Sequence, residues 1–263
     1  QVAAMTATQI GGFDETDIGE LAATQVAALT ATQIGALSAT NFAALADTQI
    51  AALTTTQLAA VNTAKVAALT ETQASALTTT QIASLGTTQL RSLNSTNLSA
   101  LDAAQFAALT TTQVSSLTNT QIADLSTADV GEFTATQIGA LSAAQVRGLN
   151  TTTFGAFAET QVAAFNATQV ASLSTTIVAA LAETQASALT ATQVSALTAS
   201  QIRELSDTNL AALDSTRMAA LTATQVRALT TTQVDAMAAA DVAEFTATQL
   251  AALTTSQVAA LTS

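Results

Sequence analysis

The sequence predicts an all-α repeat solenoid built from very short helices, with one two-turn helix in each eight-residue repeat (octad). Three observations support this fold class. The octad recurs about 33 times in 263 residues, each copy carries a signal for starting a helix, and large apolar residues occupy two fixed positions of the copy. Such strict self-similarity is typical of arrays whose stacked units bury a common core.

The first element of the octad is a helix N-cap, as in the copy at Thr110. The Thr110 hydroxyl can accept from the N–H three residues on, and the Gln113 side chain can reach back to the cap N–H, which together form a capping box. Leu109 and Val114 occupy the positions of a hydrophobic staple. Preferred cap residues (Thr, Ser, Asn or Asp) fill 27 of the 33 cap positions, and Gln fills 22 of the 32 third positions, so a new helix is predicted every eight residues. The other cap positions hold Ala22, Ala46, Gly86, Ala158, Ala182 and Ala238.

The charged residues predict which positions face the core. They never occupy the Val/Ile row (positions 10, 18, 26 and onward), the Leu row (13, 21, 29) or the second-Thr row (8, 16, 24), so we expect these three rows to face inward. The position after the cap takes acids, which the helix dipole favours in the first turn, so we expect this row to be exposed. These acids are Glu15, Asp47, Glu71, Glu159, Glu183 and Asp207. The Ala-Ala pair stays small, which permits close approach of helices, and acids within it predict partial exposure. Those acids include Glu20, Glu132 and Glu244.

Two other structures compete with the short-helix solenoid. A single continuous helix fails because eight residues advance about 80° beyond two full turns, so the apolar residues would spiral around it. A β-solenoid is the serious alternative, because Thr-x-Thr and Val/Ile suit strands. Against it, Leu109 and Val114 would lie on opposite faces of a strand, Pro is absent, Gly numbers only nine, and Ala, Leu and Gln favour helix.

The domain prediction is one continuous solenoid over residues 1–263, with a second, longer period of fourteen octads. Asp replaces Gln at that interval, at Asp17, Asp129 and Asp241. Either a block of fourteen octads has been duplicated, or fourteen octads complete a whole number of superhelical turns, for which two octads per turn would fit. The chain starts and stops within a repeat, at Gln1 and Ser263, so we expect it to be a segment of a longer protein.

The composition argues against most chemistry. Cys and His are absent, which removes most transition-metal sites and the Cys or Ser-His nucleophiles. The net charge of −12 argues against nucleic acid. Thr and Gln interrupt every apolar run, so no membrane span is expected. The sequence thus predicts no enzyme, no catalytic, cofactor-binding or metal residue, no cofactor and no small-molecule substrate.

Two sets of charged residues are candidate sites. Asp14, Glu15, Asp17 and Glu20 form the densest acidic cluster, and oxygen ligands of this kind suit Ca²⁺, but the spacing of an EF-hand is absent. The simpler interpretation makes Asp14 a cap, Glu15 an acid after the cap and Asp17 a surface substitution. Lys65 and the five Arg residues are expected on solvated faces.

Phe and Thr residues also receive structural interpretations. Phe42, Phe106, Phe133 and Phe165 occupy the two apolar rows and are predicted to lie in the core. A regular Thr array can order water, which makes ice binding an alternative. It is disfavoured here because the first Thr serves as a cap and the second is expected to be buried.

The octad, seen in Ala28-Leu29-Thr30-Ala31-Thr32-Gln33-Ile34, resembles the Leu-Thr-x-Thr-Gln-Val/Ile tracts of giant secreted or surface proteins of Gram-negative bacteria, which include adhesin-like and haemolysin-type proteins. The resemblance covers the whole chain and implies an extracellular structural tract: a stalk or spacer of an adhesin, or a unit of a surface filament. It implies self-association or neighbouring segments of the same protein as partners. The alternative function is a binding module for ice or calcium.

Overall fold

The computed structural model describes residues 2–237 and 239–261, and the side chains of residues 239 and 240 are not among the described features. The cap positions Ala238 and Thr262, and the chain ends Gln1 and Ser263, lie outside the described residues. The chain divides into two compact units, Gln1–Phe133 and Thr134–Ser263.

Unit 1 contains a 3₁₀ helix and sixteen short α-helices, one per octad, among its described residues. The 3₁₀ helix spans Val2–Ala4, and the α-helices are α1 Ala7–Gly11, α2 Glu15–Gly19, α3 Ala23–Ala28, α4 Ala31–Ala36, α5 Ala39–Ala43, α6 Asp47–Ala52, α7 Thr55–Ala59, α8 Thr63–Ala67, α9 Glu71–Ser75, α10 Thr79–Ser84, α11 Thr87–Ser92, α12 Ser95–Ser99, α13 Ala103–Ala108, α14 Thr111–Ser116, α15 Asn119–Ala123 and α16 Thr127–Glu132.

Unit 2 repeats the same plan in the part of it that the structure describes. Its helices are α17 Ala135–Ala140, α18 Ala143–Arg147, α19 Thr151–Gly155, α20 Glu159–Val162, α21 Ala167–Ser172, α22 Thr175–Ala179, α23 Glu183–Ala188, α24 Ala191–Ala196, α25 Ala199–Glu204, α26 Asp207–Ala211, α27 Ser215–Ala219, α28 Ala223–Ala228, α29 Thr231–Asp235, α30 Ala239–Ala243, α31 Ala247–Ala252 and α32 Thr255–Ala260. The predicted all-α fold is confirmed, and no strand occurs in residues 2–237 or 239–261, which contradicts the β-solenoid.

The predicted capping box sets the start of these helices. In α14, Gln113 N–H donates to Thr110 Oγ1 at 3.2 Å, and Thr110 N–H donates to Gln113 Oε1 at 2.8 Å. At a cap without a hydroxyl, such as Ala46, the second half of the box persists, because Ala46 N–H donates to Gln49 Oε1 at 2.6 Å. The N3 side chain therefore secures the helix start even where the cap side chain has no acceptor.

In helices such as α14, the apolar Leu of the octad ends the helix without a Gly. After α14, Leu117 has φ −53° and ψ 142°, and the next cap Thr118 has φ −72° and ψ 156°. Two successive extended residues turn the chain into the next helix. The described residues include no positive φ angle and no cis peptide bond, so no described position requires Gly for its backbone conformation.

Helices three octads apart pack against one another within each unit. One column in unit 1 runs through α1, α4, α7, α10, α13 and α16, and one in unit 2 runs through α22, α25, α28 and α31. A Cβ added at Gly11 would lie 3.2 Å from the Ala36 carbonyl oxygen, so α1 and α4 approach closely at a small residue. Each unit is therefore a helical solenoid whose neighbouring helices come from octads n and n + 3.

Burial confirms two of the three rows predicted to face inward. Val114 and Leu109 are 0% and 3% exposed, and their rows form the core, including Phe106 and Phe133, whose ring centroids lie 5.3 Å apart. The acids after the caps are exposed, as expected. The prediction for the second-Thr row is wrong, because this position is exposed in every octad where the structure describes its side chain, as at Thr112. At the second helical residue the side chain points away from the core, and charge is absent from this row for a reason that the fold does not supply.

Candidate functional site

The most distinctive polar feature is the row of side chains at the third helical position (9, 17, 25 and onward), called here the Gln row, which is exposed at positions 9, 17 and 25 and buried from Gln33 to Asn209. Gln57, for example, is 2% exposed. Its Oε1 accepts from Thr54 N–H at 2.7 Å, and its Nε2 donates to the carbonyl oxygens of Val26 at 2.8 Å and Leu29 at 2.6 Å. One amide thus caps its own helix and satisfies the carbonyls at the end of α3, four helices earlier.

This double role recurs in both units with fixed spacing. In unit 2, Gln193 Nε2 donates to Val162 O at 2.8 Å and to Phe165 O at 2.7 Å. The two acceptors lie 31 and 28 residues before Gln193, as they do before Gln57. The side chains that bond to carbonyls at both spacings include Gln49, Gln81, Gln89, Gln113, Gln121, Gln169, Gln201, Gln225, Gln233, Gln249 and Gln257.

The same spacing measures the superhelical repeat. Helix packing joins octads three apart, and the amide joins a helix to carbonyls of the helix four earlier. One turn therefore takes between three and four octads. Two octads per turn is wrong, because the helix packing among the described residues joins octads three apart.

Five of the ten substitutions in the Gln row keep a side-chain N–H donor. Asn97 Nδ2 donates to Leu69 O at 2.7 Å, Lys65 Nζ donates to Gly35 O at 2.6 Å, and Arg217 Nε donates to Leu189 O. Arg217 also forms an ion pair with its own cap, Asp214, at 2.6 Å. A donor that reaches the preceding turn is thus the common property of these otherwise different residues.

Lys65 corrects the expectation of a solvated face. It is 2% exposed, and burial lowers the pKa of its ammonium group. The expectation is wrong because the Lys65 ammonium group replaces the Nε2 donor of Gln in a buried row. Arg91, Arg147, Arg203 and Arg227 are exposed, as predicted.

Asp129 brings an acceptor to a position that normally requires a donor. It is 4% exposed, and its Oδ2 accepts from Ser126 N–H at 2.7 Å and from Ser99 Oγ at 2.6 Å. Ser99 lies 30 residues earlier, where most octads have Ala. The serine hydroxyl supplies the donor that a carboxylate needs, so Ser99 and Asp129 form a compensating pair.

Glu132 lies beside this pair with a buried oxygen, Oε2, that has no hydrogen-bond partner. Burial, and then the charges of Asp129 and Asp102, raise the pKa of the Glu132 carboxyl. Because the folded-state pKa is raised, the neutral form favours folding below the unfolded-state pKa, and that contribution is lost as the pH rises through the folded-state pKa. At neutral pH the ionised carboxylate of Glu132 is therefore less favourable in the folded chain than in the unfolded chain.

The predicted acidic cluster has the simple structural roles expected of it. Asp14 caps α2, with Asp17 N–H donating to Asp14 Oδ1 at 2.9 Å, and Asp14 N–H donates to Asp17 Oδ2 at 3.0 Å. Asp17 is exposed, and Glu15 and Glu20 are exposed as well. Across residues 2–237 and 239–261, no group of three or more Asp or Glu side chains is placed to hold a metal ion.

The comparisons with known proteins concern the repeat itself. The family model described as the ALTTAQ repeat matches residues 50–87 and 82–119. Both segments lie in unit 1, and the chain is similar to that repeat over them. Neither the comparison with curated proteins nor that with solved structures gave a match. Within the described residues, no helix has the length and apolar character required to cross a membrane.

The amides of the Gln row take part in the hydrogen bonding of the fold itself. They face backbone groups of their own octad and of the preceding turn, so their hydrogen-bonding capacity is used inside the fold. Sequence reasoning identified the capping half of this arrangement. It missed the link between turns, because nothing in a single octad reveals which carbonyls of the preceding turn meet the amide.

Proposed function

We propose that the chain is a structural extracellular tract, acting as a stalk or spacer of a giant surface adhesin or as a building unit of a surface filament. One observation carries this proposal: the Gln-row amide joins helices at a constant spacing of 28 and 31 residues in both units. A repeat whose linking hydrogen bonds are made to other copies of itself can be extended by adding octads. The extracellular setting rests on the resemblance of the octad to surface-protein tracts, and no enzymatic role is proposed.

A spacer should keep its register when a whole octad is removed. After deletion of Thr110–Leu117, Gln121 meets the Leu85 carbonyl in place of its present acceptor, Leu93 O, which holds the same octad position. Deletion of Thr110–Gln113 instead places the Gln89 carbonyl at that spacing, which belongs to the middle of a helix. We expect the first variant to melt within a few degrees of the parent chain and the second to lose a large part of its helical circular dichroism.

The spacer function itself is tested on a cell surface. The chain, displayed between an outer-membrane anchor and an epitope tag, should hold the tag at a height that increases linearly with the number of octads. A Gly/Ser linker of equal residue number is the control, because the reach of a flexible chain grows only as about the square root of its length. A height that is insensitive to octad number, or that follows the control, would contradict the proposal.

A second candidate function, ice binding, gains support from the second-Thr row. This row is exposed, yet it holds Thr in 25 of its 32 positions and never a charge. Exposed positions ordinarily tolerate charge, as the neighbouring row at Glu71 and Asp207 does. A restriction of this kind is what a hydroxyl-and-methyl surface would require.

Thermal hysteresis measures this activity directly. If the row orders ice, the chain should separate its freezing and melting points, and lysine at Thr56, Thr80 and Thr112 should abolish the gap. Lysine at Thr55, Thr79 and Thr111, in the adjacent exposed row, is the matched control and should leave it intact. Absence of hysteresis in the parent chain would eliminate this candidate.

A further inference from the structure

We infer that unit 2 carries an anion-binding groove for a phosphate or sulfate monoester, formed by Arg203 and Arg227. The groove has a volume of about 280 Å³ and is lined by Ala199, Ser200, Arg203, Thr224, Arg227 and Ala228. This inference goes beyond the structural role proposed above and does not depend on it.

The packing of octads three apart brings the two arginines together. Arg203 belongs to α25 and Arg227 to α28, and these two helices pack against each other. The two residues are separated by three whole octads, so they hold the same place in their octads. The chain has only six basic residues, and this groove is lined by two of them without any acidic residue.

Both guanidinium groups are available to a ligand. Arg203 and Arg227 are exposed. The described residues form one ion pair, between Arg217 and Asp214. Among them, neither Arg203 nor Arg227 is therefore paired with an acidic side chain. Their backbone carbonyls accept from Gln233 and Gln257, which fixes the helices that carry them.

The lining selects a ligand chemistry. A guanidinium presents a planar fork of donors that matches two oxygens of an oxyanion, and two such forks match a doubly charged tetrahedral group better than a carboxylate. The hydroxyls of Ser200 and Thr224 add neutral donors beside them. Ala199 and Ala228 keep the groove open, because a larger side chain at either position would occupy it.

Titration of the intact chain with inorganic phosphate, followed by the Nε–H resonances of arginine, tests the site. At low ionic strength we expect saturable shifts of Arg203 and Arg227 with a Kd of roughly 1 mM, and weaker binding as salt screens the charges. Arg203→Ala and Arg227→Ala should each weaken binding at least about tenfold, and Arg203→Lys should weaken it by less. Arg147→Ala is the matched control, because Arg147 is exposed at the same octad position, and this variant should bind as the parent does.

Further probes identify the source of the anion. A hexose phosphate and a hexose sulfate should bind at least as tightly as inorganic phosphate, while acetate should bind several-fold more weakly. Equal weakening by Arg147→Ala, or no saturation at tens of millimolar phosphate, would overturn the site. Binding to vesicles of anionic phospholipid without binding to the soluble esters would also overturn it, since that result would indicate a membrane surface instead. Unchanged melting temperatures of the variants exclude unfolding as the cause of any loss.

Discussion

Gln113→Glu is expected to be among the most destabilising single substitutions in the chain. Gln113 is 3% exposed, and its Nε2 donates to Ile82 O and Leu85 O, both at 2.8 Å. A glutamate would lose both donors and place a carboxylate against two carbonyl oxygens. Unsatisfied buried groups cost about 1–3 kcal/mol each and a buried charge costs more, so we expect a loss of at least about 3 kcal/mol in the free energy of unfolding at pH 7.

The loss should depend on pH with a definite sign. Burial beside carbonyl oxygens raises the pKa of the new carboxyl in the folded state, so its neutral form is favoured there. The penalty is therefore smallest at acidic pH and grows as the pH rises through the folded-state pKa. Urea unfolding at several pH values measures this directly.

Two variants make the interpretation specific. Gln9 forms the same cap, with Thr6 N–H donating to its Oε1 at 2.8 Å, but its side chain is exposed. Gln9→Glu should therefore be nearly neutral. Gln113→Lys should be milder than Gln113→Glu, because Lys65 already fills this row with a donor. Equal losses for Gln9→Glu and Gln113→Glu would contradict the role of the link between turns.

The contrast between Gln9 and Gln113 also shows how far sequence reasoning could go. Capping and stapling act within one octad, so their signals lie in adjacent residues, and helix starts such as that at Thr110 could be predicted. The stacking of a helix on the helix three octads away is a tertiary contact. Because the octads have nearly the same sequence, no residue indicates whether a helix packs against the helix two, three or four octads away.

The wrong predictions for Lys65 and for the second-Thr row have one physical cause. Burial was inferred from the absence of charge, and that rule holds only for side chains that have no buried polar partner. Lys65 and Asp129 are charged residues in a buried row because carbonyl and serine groups meet them there. The second-Thr row lacks charge and yet is exposed. Arg203 and Arg227 could not be paired from the sequence, because their proximity depends on the stacking of octads three apart.

Val114→Asp and Thr112→Asp should differ strongly in their effect on the free energy of unfolding. Val114 is 0% exposed, whereas Thr112 is exposed, although neither row carries a charge anywhere in the sequence. Val114→Asp should cost several kcal/mol, because it buries a carboxylate in the apolar seam with no partner. Thr112→Asp should be neutral or slightly stabilising, since an exposed acid in the first turn of a helix interacts favourably with the helix dipole.

The melting temperatures of the parent and the two Asp variants decide between two expectations. If rows without charge were always buried, both variants would lose much stability, whereas the structure predicts a large loss for Val114→Asp alone. Thr111→Asp serves as the reference, because Thr111 lies in the exposed row where acids occur naturally, so Thr112→Asp should match it within about 0.5 kcal/mol. If Thr112→Asp instead melts as low as Val114→Asp, the second-Thr row is buried against a neighbour, and the exposed surface on which the ice-binding candidate depends does not exist in solution.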